Sequence, residues 1–274
     1  MLQTINYGVV IPARNEEKYL EKTLSSLRNQ TIKPRIIIVV DDSSRDRTAE
    51  IARRNHAYVV EIKRRSNATA VGTPYLAFVI NKGLEILERM KDLDYVMISG
   101  AECLYPKDYV ERIINRMRLE NVVIASGIAY GEPASEFGVR GAGRIIDAKW
   151  FREIGFRYPL NHGYETWLIL KALSQGRRVK VYRDVKFLLL RQTTMNVQKA
   201  YLYGKAMKAL GYMALYTVGR ALLLLLNGHV NEAKYLILGY FIGKAKRYND
   251  ITDFTKYIQI RNFISRFFKG LIAR

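Results

Sequence analysis

Residues 9–30 read VVIPARNEEKYLEKTLSSLRNQ, and residues 36–48 read IIIVVDDSSRDRT. Val9, Val10 and Ile11 form an apolar run too short for a helix, and Ile36 to Val40 form a second one. Continuous β-branched runs of this length predict strands covered on both faces. Between them Leu20, Leu24 and Leu27 recur at helical spacing, so the order strand, helix, strand predicts a right-handed parallel crossover. Ligands of an open parallel sheet bind beyond the carboxyl ends of its strands. Asp41 and Asp42 stand at such an end, with carboxylates able to accept hydrogen bonds from a base or ribose. A purely structural role fits the same residues: Asp42, Ser43 and Ser44 as caps of a helix beginning near Asp46.

Outward from this stretch the alternation continues. Ala57 to Ile62 reads as a third strand, and Lys63 to Thr73 as a basic, polar loop. Pro74 suits a helix start, and Leu76, Ile80, Leu84 and Leu87 then recur at helical spacing to about Met90. Tyr95 to Ile98 predicts a strand, Pro106 to Leu119 a helix, and Val122 to Ala129 another strand. Gly131 to Gly143 is a loop rich in Gly, Pro and Ser.

VVIPARNE with VVDDSSRDRT resembles family 2 of the glycosyltransferases, which use the nucleotide-binding GT-A fold. The resemblance implies an α/β domain, a Rossmann-like mixed sheet flanked by helices. It also implies that Pro12, Ala13, Arg14 and Glu16 border the base and ribose of a nucleotide-sugar donor, with Asp41 and Asp42 hydrogen-bonding them and Ser43 in the same loop. After the fourth strand the family places an Asp-x-Asp motif that holds a divalent cation, Mg²⁺ or Mn²⁺, against the donor diphosphate. Here the segment SGAECLYPKD puts Gly100 and Glu102 at the two Asp positions. Three readings stay open: Glu102 anchors the cation with phosphate oxygens and water; Arg64, Arg65 or Arg140 neutralises the diphosphate; or the domain no longer catalyses and acts as a membrane-bound binding module.

The family also opens a later helix with an acidic pair that supplies the general base of an inverting transfer. Glu165, Thr166 and Trp167 occupy that place, so the resemblance makes Glu165 the base, with His162 a substitute and Asp147 a further carboxylate for the acceptor. Plainer readings exist for each. Glu165 suits a helix dipole, His162 a solvated loop, and Asp147 a helix cap.

The 274 residues suit one sheet domain, 1–185, and a C-terminal hydrophobic and basic helical region, 186–274. Cys103, the single cysteine, excludes an internal disulfide. Met1 to Tyr7 runs straight into the first strand, which predicts no secretory leader and a catalytic domain at the cytoplasmic face of the cell membrane. Of the formal net charge of +20, Arg183 to Arg274 supplies +12, from 16 Lys and Arg against 4 Asp and Glu. Such a charge calls for an anionic partner. The chain carries no recognised nucleic-acid motif, and its late cations alternate with apolar blocks, which favours an anionic membrane surface over RNA or DNA.

The uncharged runs Ala209–Gly219, Ala221–Asn231 and Tyr235–Gly243 are each too short to span a bilayer. They predict helices lying in the interface, followed by an amphipathic basic helix over Ile258 to Arg274. The alternative is a helical subdomain, or a homodimer packed through these helices. In sum the sequence predicts a transferase that moves a sugar from a nucleotide donor to a lipid-linked or surface-glycan acceptor.

Overall fold

The computed structural model of the protein describes residues 5–64, 70–132, 138–139, 141–191 and 196–272, with side chains of the last stretch as far as residue 262. Two compact units emerge. Described residues within 1–68, 76–158 and 176–192 form a sheet unit, and those within 69–75, 159–175 and 193–274 form a helical unit. Two short segments of the first 185 residues thus group with the C-terminal helices, so a boundary at 185 does not separate the units.

The sheet unit contains β1 (Tyr7–Ala13), α1 (Leu20–Arg28), β2 (Ile36–Asp42), α2 (Thr48–Arg54), β3 (Tyr58–Ile62), α3 (Pro74–Glu88) from Leu76 on, and β4 (Tyr95–Ile98). The short β5 (Cys103–Leu104), α4 (Tyr109–Glu120), β6 (Val122–Ala129), β7 (Arg144–Asp147) and α5 (Ala148–Glu153) follow, and β8 (Arg178–Leu189) closes it. The strand order is β3-β2-β1-β4-β7-β6-β8-β5. Val9, Val10, Ile11, Ile38, Val39 and Val40 are fully buried, as strands covered on both faces require. Leu20, Leu24 and Leu27 bury one face of α1 against them. At Gly83 an added Cβ would lie 2.5 Å from Val10 Cγ1, so only glycine lets α3 press so closely on β1.

Strand directions decide which ends meet. β1 runs parallel to β2 and β4, and β7 runs antiparallel to β4. β6 is antiparallel to β7 and parallel to β8. The end of β8 therefore shares the carboxyl edge with β1, β2 and β4, whereas the end of β7 lies on the opposite edge. β8 also runs past the expected boundary at 185, to Leu189.

The helical unit contains α6 (Tyr164–Ser174), α7 (Val197–Ala209), α8 (Ala214–Leu226), α9 (Val230–Phe241) and α10 (Thr252–Ile272). Met207, Ala221, Ala233, Leu236 and Tyr240 form its core. Glycines set its tightest contact: a Cβ on Gly204 would meet Leu236 O at 2.1 Å, and one on Gly239 would meet Tyr201 O at 2.0 Å. Among the described residues no helix is long and apolar enough to cross a membrane.

Candidate active site

On the carboxyl edge the register Ala13↔Asp41 sets the loop after β1 beside the loop after β2. Each loop holds the other's backbone. Ser44 Oγ accepts from the Asn15 N–H at 2.9 Å, and Asn15 Oδ1 from the Arg45 N–H at 2.9 Å. Thr48 Oγ1 accepts from the Glu16 N–H at 2.8 Å, and Asp46 Oδ2 from the Glu17 N–H at 3.1 Å. Asn15 and Ser43 take positive φ, 54° and 55°, where a short polar side chain is tolerated. Asp41 and Asp42 leave β2 into this bracket almost wholly buried.

The two aspartates do different work. Asp41 accepts from the Ser44 hydroxyl, and burial pushes its carboxyl above the usual range against that hydrogen bond. Asp42 accepts from Arg64 Nη1 at 2.7 Å, and both side chains of this ion pair are nearly buried. Ser43 Oγ donates to Ile62 O at 2.7 Å and accepts from the Arg64 N–H at 2.8 Å, tying β2 to the end of β3. Neither Asp42 nor Ser44 caps α2, whose N-cap is Arg47; Asp46 Oδ1, one residue earlier, accepts from the Thr48 N–H at 3.0 Å. Arg64 is thus committed to Asp42; Arg65 and Arg140 lie outside the described residues. Pro12 and Ala13 end β1, and Arg14 is half-buried in the following loop.

Glu16 reaches sideways. Its Oε1 accepts from Arg191 Nη2 at 2.7 Å, and its buried Oε2 has no partner among the described residues. Burial raises the Glu16 carboxyl, and Arg191 opposes that rise. The same Arg191 nitrogen lies 3.8 Å from Glu102 Oε2, and the Leu190 N–H donates to Glu102 O at 2.9 Å. One guanidinium therefore joins the first loop to the turn after β4.

That arrangement suits a divalent cation poorly. Among the described residues no group of three or more His, Cys, Asp or Glu could hold a metal ion. Gly100 offers no ligand, and a Cβ there would already sit 3.0 Å from Cys103 Sγ and 3.1 Å from Glu102 Oε2. An ion on Glu102 would also face the Arg191 guanidinium, a repulsion of about 4 kcal/mol per unit of its charge at ~4 Å near a protein surface.

Asp147 leaves the catalytic set. It pairs with Tyr95 at the start of β4, on the edge opposite Asp41, and its Oδ1 caps α5 by accepting from the Trp150 N–H at 2.7 Å. Glu165 and His162 belong to the helical unit. Glu165 sits in the first turn of α6, half-buried, with no side-chain partner among the described residues. It lines a cavity of about 200 Å³ with Gly72, Thr166, Lys199, Tyr203 and Leu210. His162 is buried instead of solvated, and burial together with Lys205 holds its imidazole below its usual pKa.

The family model described as "Glycosyl transferase family 2" matches residues 8–185. The chain belongs to that family. Among curated relatives of this family member, 4,4'-diaponeurosporenoate glycosyltransferase of Staphylococcus haemolyticus is 46% identical over 77 residues, 28% of this chain and 20% of the relative. An uncharacterized protein of Methanocaldococcus jannaschii is 33% identical over 120 residues, 43% of this chain and 44% of that protein. The chain thus spans less than half the length of these relatives. The GT-A architecture recurs in solved structures. Mannosyltransferase PcManGT from Pyrobaculum calidifontis, in complex with GDP-Man and Mn²⁺, superposes with TM-score 0.56 at 15% identity, over 86% of this chain and 70% of that one. S. aureus TarS 1–349 in complex with UDP-GlcNAc gives TM-score 0.57 at 16% identity, over 86% and 71%. At such identity the likeness concerns the fold.

For a family 2 chain, the residue that sequence reasoning missed is Arg191. A signal was present. FLLLR ends an apolar strand with one cation, as IIIVVDD ends one with two anions, but the strand directions that place both on one edge are a property of the folded sheet.

Proposed function

We propose that this protein is a nucleotide-sugar-dependent glycosyltransferase that passes a hexosyl group to a hydroxyl of a lipid-linked or surface-glycan acceptor with inversion. The interlocked loops after β1 and β2 carry this reading: they bring Glu16 and Asp41 to the ends of neighbouring parallel strands, where the nucleoside of the donor would border them. In the reaction Glu165 takes the acceptor's proton, and the acceptor oxygen bonds to the anomeric carbon. The bond from that carbon to the diphosphate breaks, and nucleoside diphosphate leaves. The donor set at Glu102 fits a divalent cation poorly, although the structurally similar PcManGT is in complex with GDP-Man and Mn²⁺.

The test is release of UDP or GDP from common nucleotide sugars incubated with polyprenol-linked or glycan acceptors. Acceptor-dependent release is expected, and its absence with every donor removes the reading. One observation favours a second reading, a binding module without transfer: the incomplete metal motif at Gly100. Tight nucleotide binding without release would select it.

The same proposal places the protein on an anionic membrane surface at its cytoplasmic face. Leu215, Leu222, Leu223 and Leu226 of α8 are 79%, 53%, 61% and 84% exposed, and Phe241 and Ile242 at the end of α9 are exposed too. Arg220, Lys234 and Lys244 stand among them in sequence, the composition of an interfacial helix pair. The cavity beside Glu165 would receive the acceptor's hydroxyl end. The aromatic and basic pattern expected of Phe263 to Leu271 lies outside the described side chains.

A further inference from the structure

The missing Asp at position 100 leaves a charge problem, because a departing nucleoside diphosphate needs positive charge beside it. Among the described residues of the sheet unit, Arg191 is suitably placed. Arg191 follows β8 on the carboxyl edge, 2.7 Å from Glu16 Oε1 and 3.8 Å from Glu102 Oε2. Both carboxylates meet the same nitrogen, Nη2. A guanidinium carries five N–H donors in a planar fork, and no other acceptor for this one occurs among the described residues. Its side chain is 46% exposed, and Tyr19 lies under it with the ring centre 5.7 Å from Cζ. Arg191 is therefore anchored at one corner, backed by an aromatic face, and presents its remaining edge to solvent. That geometry matches two oxygens of a diphosphate, which arginine binds in bidentate fashion.

We propose that Arg191 binds the donor's diphosphate in place of a divalent cation, so that donor binding and transfer proceed without metal. Glu16 and Glu102 hold the guanidinium ready before the donor arrives. When the diphosphate enters, its oxygens take the open donors, and the carboxylates keep the fork in position. As the bond to the anomeric carbon breaks, the electron pair moves to the diphosphate oxygen facing the fork. The inference rests on the donor-binding half of the proposed function.

The full chain, stripped of metal with EDTA, is titrated calorimetrically with UDP and with GDP, then again with Mn²⁺ added. One nucleotide is expected to bind in EDTA within about twofold of its affinity in Mn²⁺. Arg191→Gln should lose ten- to a hundredfold in both conditions, and Arg191→Lys should recover part of the loss. Glu102→Gln should weaken binding in EDTA by no more than a few-fold, because Glu16 still holds the guanidinium at 2.7 Å, whereas a metal ligand lost there would abolish a Mn²⁺-dependent signal. Thermal melting of each variant separates these effects from misfolding. Binding by the wild type only with Mn²⁺, or unchanged affinity in folded Arg191→Gln, overturns the assignment and leaves the transferase reading standing. Binding of neither nucleotide in either condition overturns both.

Discussion

The sheet unit and the helical unit treat the same kinds of residue in opposite ways. In the sheet unit the branched aliphatics of β1 and β2 are wholly buried, and even carboxylates are taken out of water: Glu16, Asp41 and Asp42 are 8%, 5% and 3% exposed. Each lies beside a hydroxyl or guanidinium of the same unit that meets at least one of its oxygens. In the helical unit several leucines of α8 face outward, and the carboxylate of Glu165 has no described partner. The sheet unit covers its aliphatics and gives each of these carboxylates a partner, with Glu16 Oε2 left unmet among the described residues. The other leaves apolar surface and a carboxylate without a described counterpart, as a region does when it works on something outside itself.

If that contrast is right, the largest kinetic effect belongs to the unpartnered carboxylate. Glu165→Gln keeps shape and removes the proton acceptor, so turnover should fall roughly a hundred- to ten-thousandfold, the usual worth of a general base. Affinity for UDP or GDP should not change, because the proposed nucleotide site lies in the sheet unit. Nucleoside diphosphate release measured beside calorimetry decides the matter. Undiminished turnover would reduce Glu165 to a first-turn helix residue.

The next effect belongs to the partnered carboxylates. Asp42→Asn would leave the Arg64 guanidinium buried beside a neutral amide, and losing one member of a buried pair costs about 3–5 kcal/mol. Chemical denaturation should show a loss of that order, with nucleotide affinity falling alongside. Replacing both residues, Asp42→Leu with Arg64→Met, should return most of the stability and none of the affinity. Recovery of both would mean the pair supports the fold alone. An unchanged midpoint for Asp42→Asn would show that water reaches the pair and that the sheet unit is less closed than its exposures indicate.

The contrast also explains what could be read from the chain. β1, β2 and the crossover between them were legible because the residues that pack together also recur locally, in runs of Val and Ile and in leucines at helical spacing. The meeting of the two loops followed, since Glu16 and Asp41 lie at the ends of neighbouring parallel strands. Arg191 was not legible. It meets Glu16 across 175 positions of sequence, and only the reversal at β7 and return at β6 bring β8 to the same edge. The same reversal removed Asp147, whose place on the far edge no local pattern reveals. His162 misled for another reason: a loop histidine reads as solvated until the fold buries it.

The smallest effect tests whether the exposed leucines answer to a membrane. Fully burying a leucine side chain is worth about 1.5–3 kcal/mol, and headgroup depth immerses only part of it. Leu223→Ser with Leu226→Ser should therefore weaken flotation with vesicles rich in anionic phospholipid by about tenfold, while thermal stability holds, because neither side chain belongs to the helical core. Raising salt should weaken wild-type binding further, as each nearby cation contributes on the order of 1 kcal/mol. Light scattering on the same samples separates the competing explanation. Should the wild type be a dimer that the double substitution breaks, with no vesicle binding in either protein, the leucines belong to a second copy of the chain. The contrast between the units would then concern assembly instead of a lipid surface.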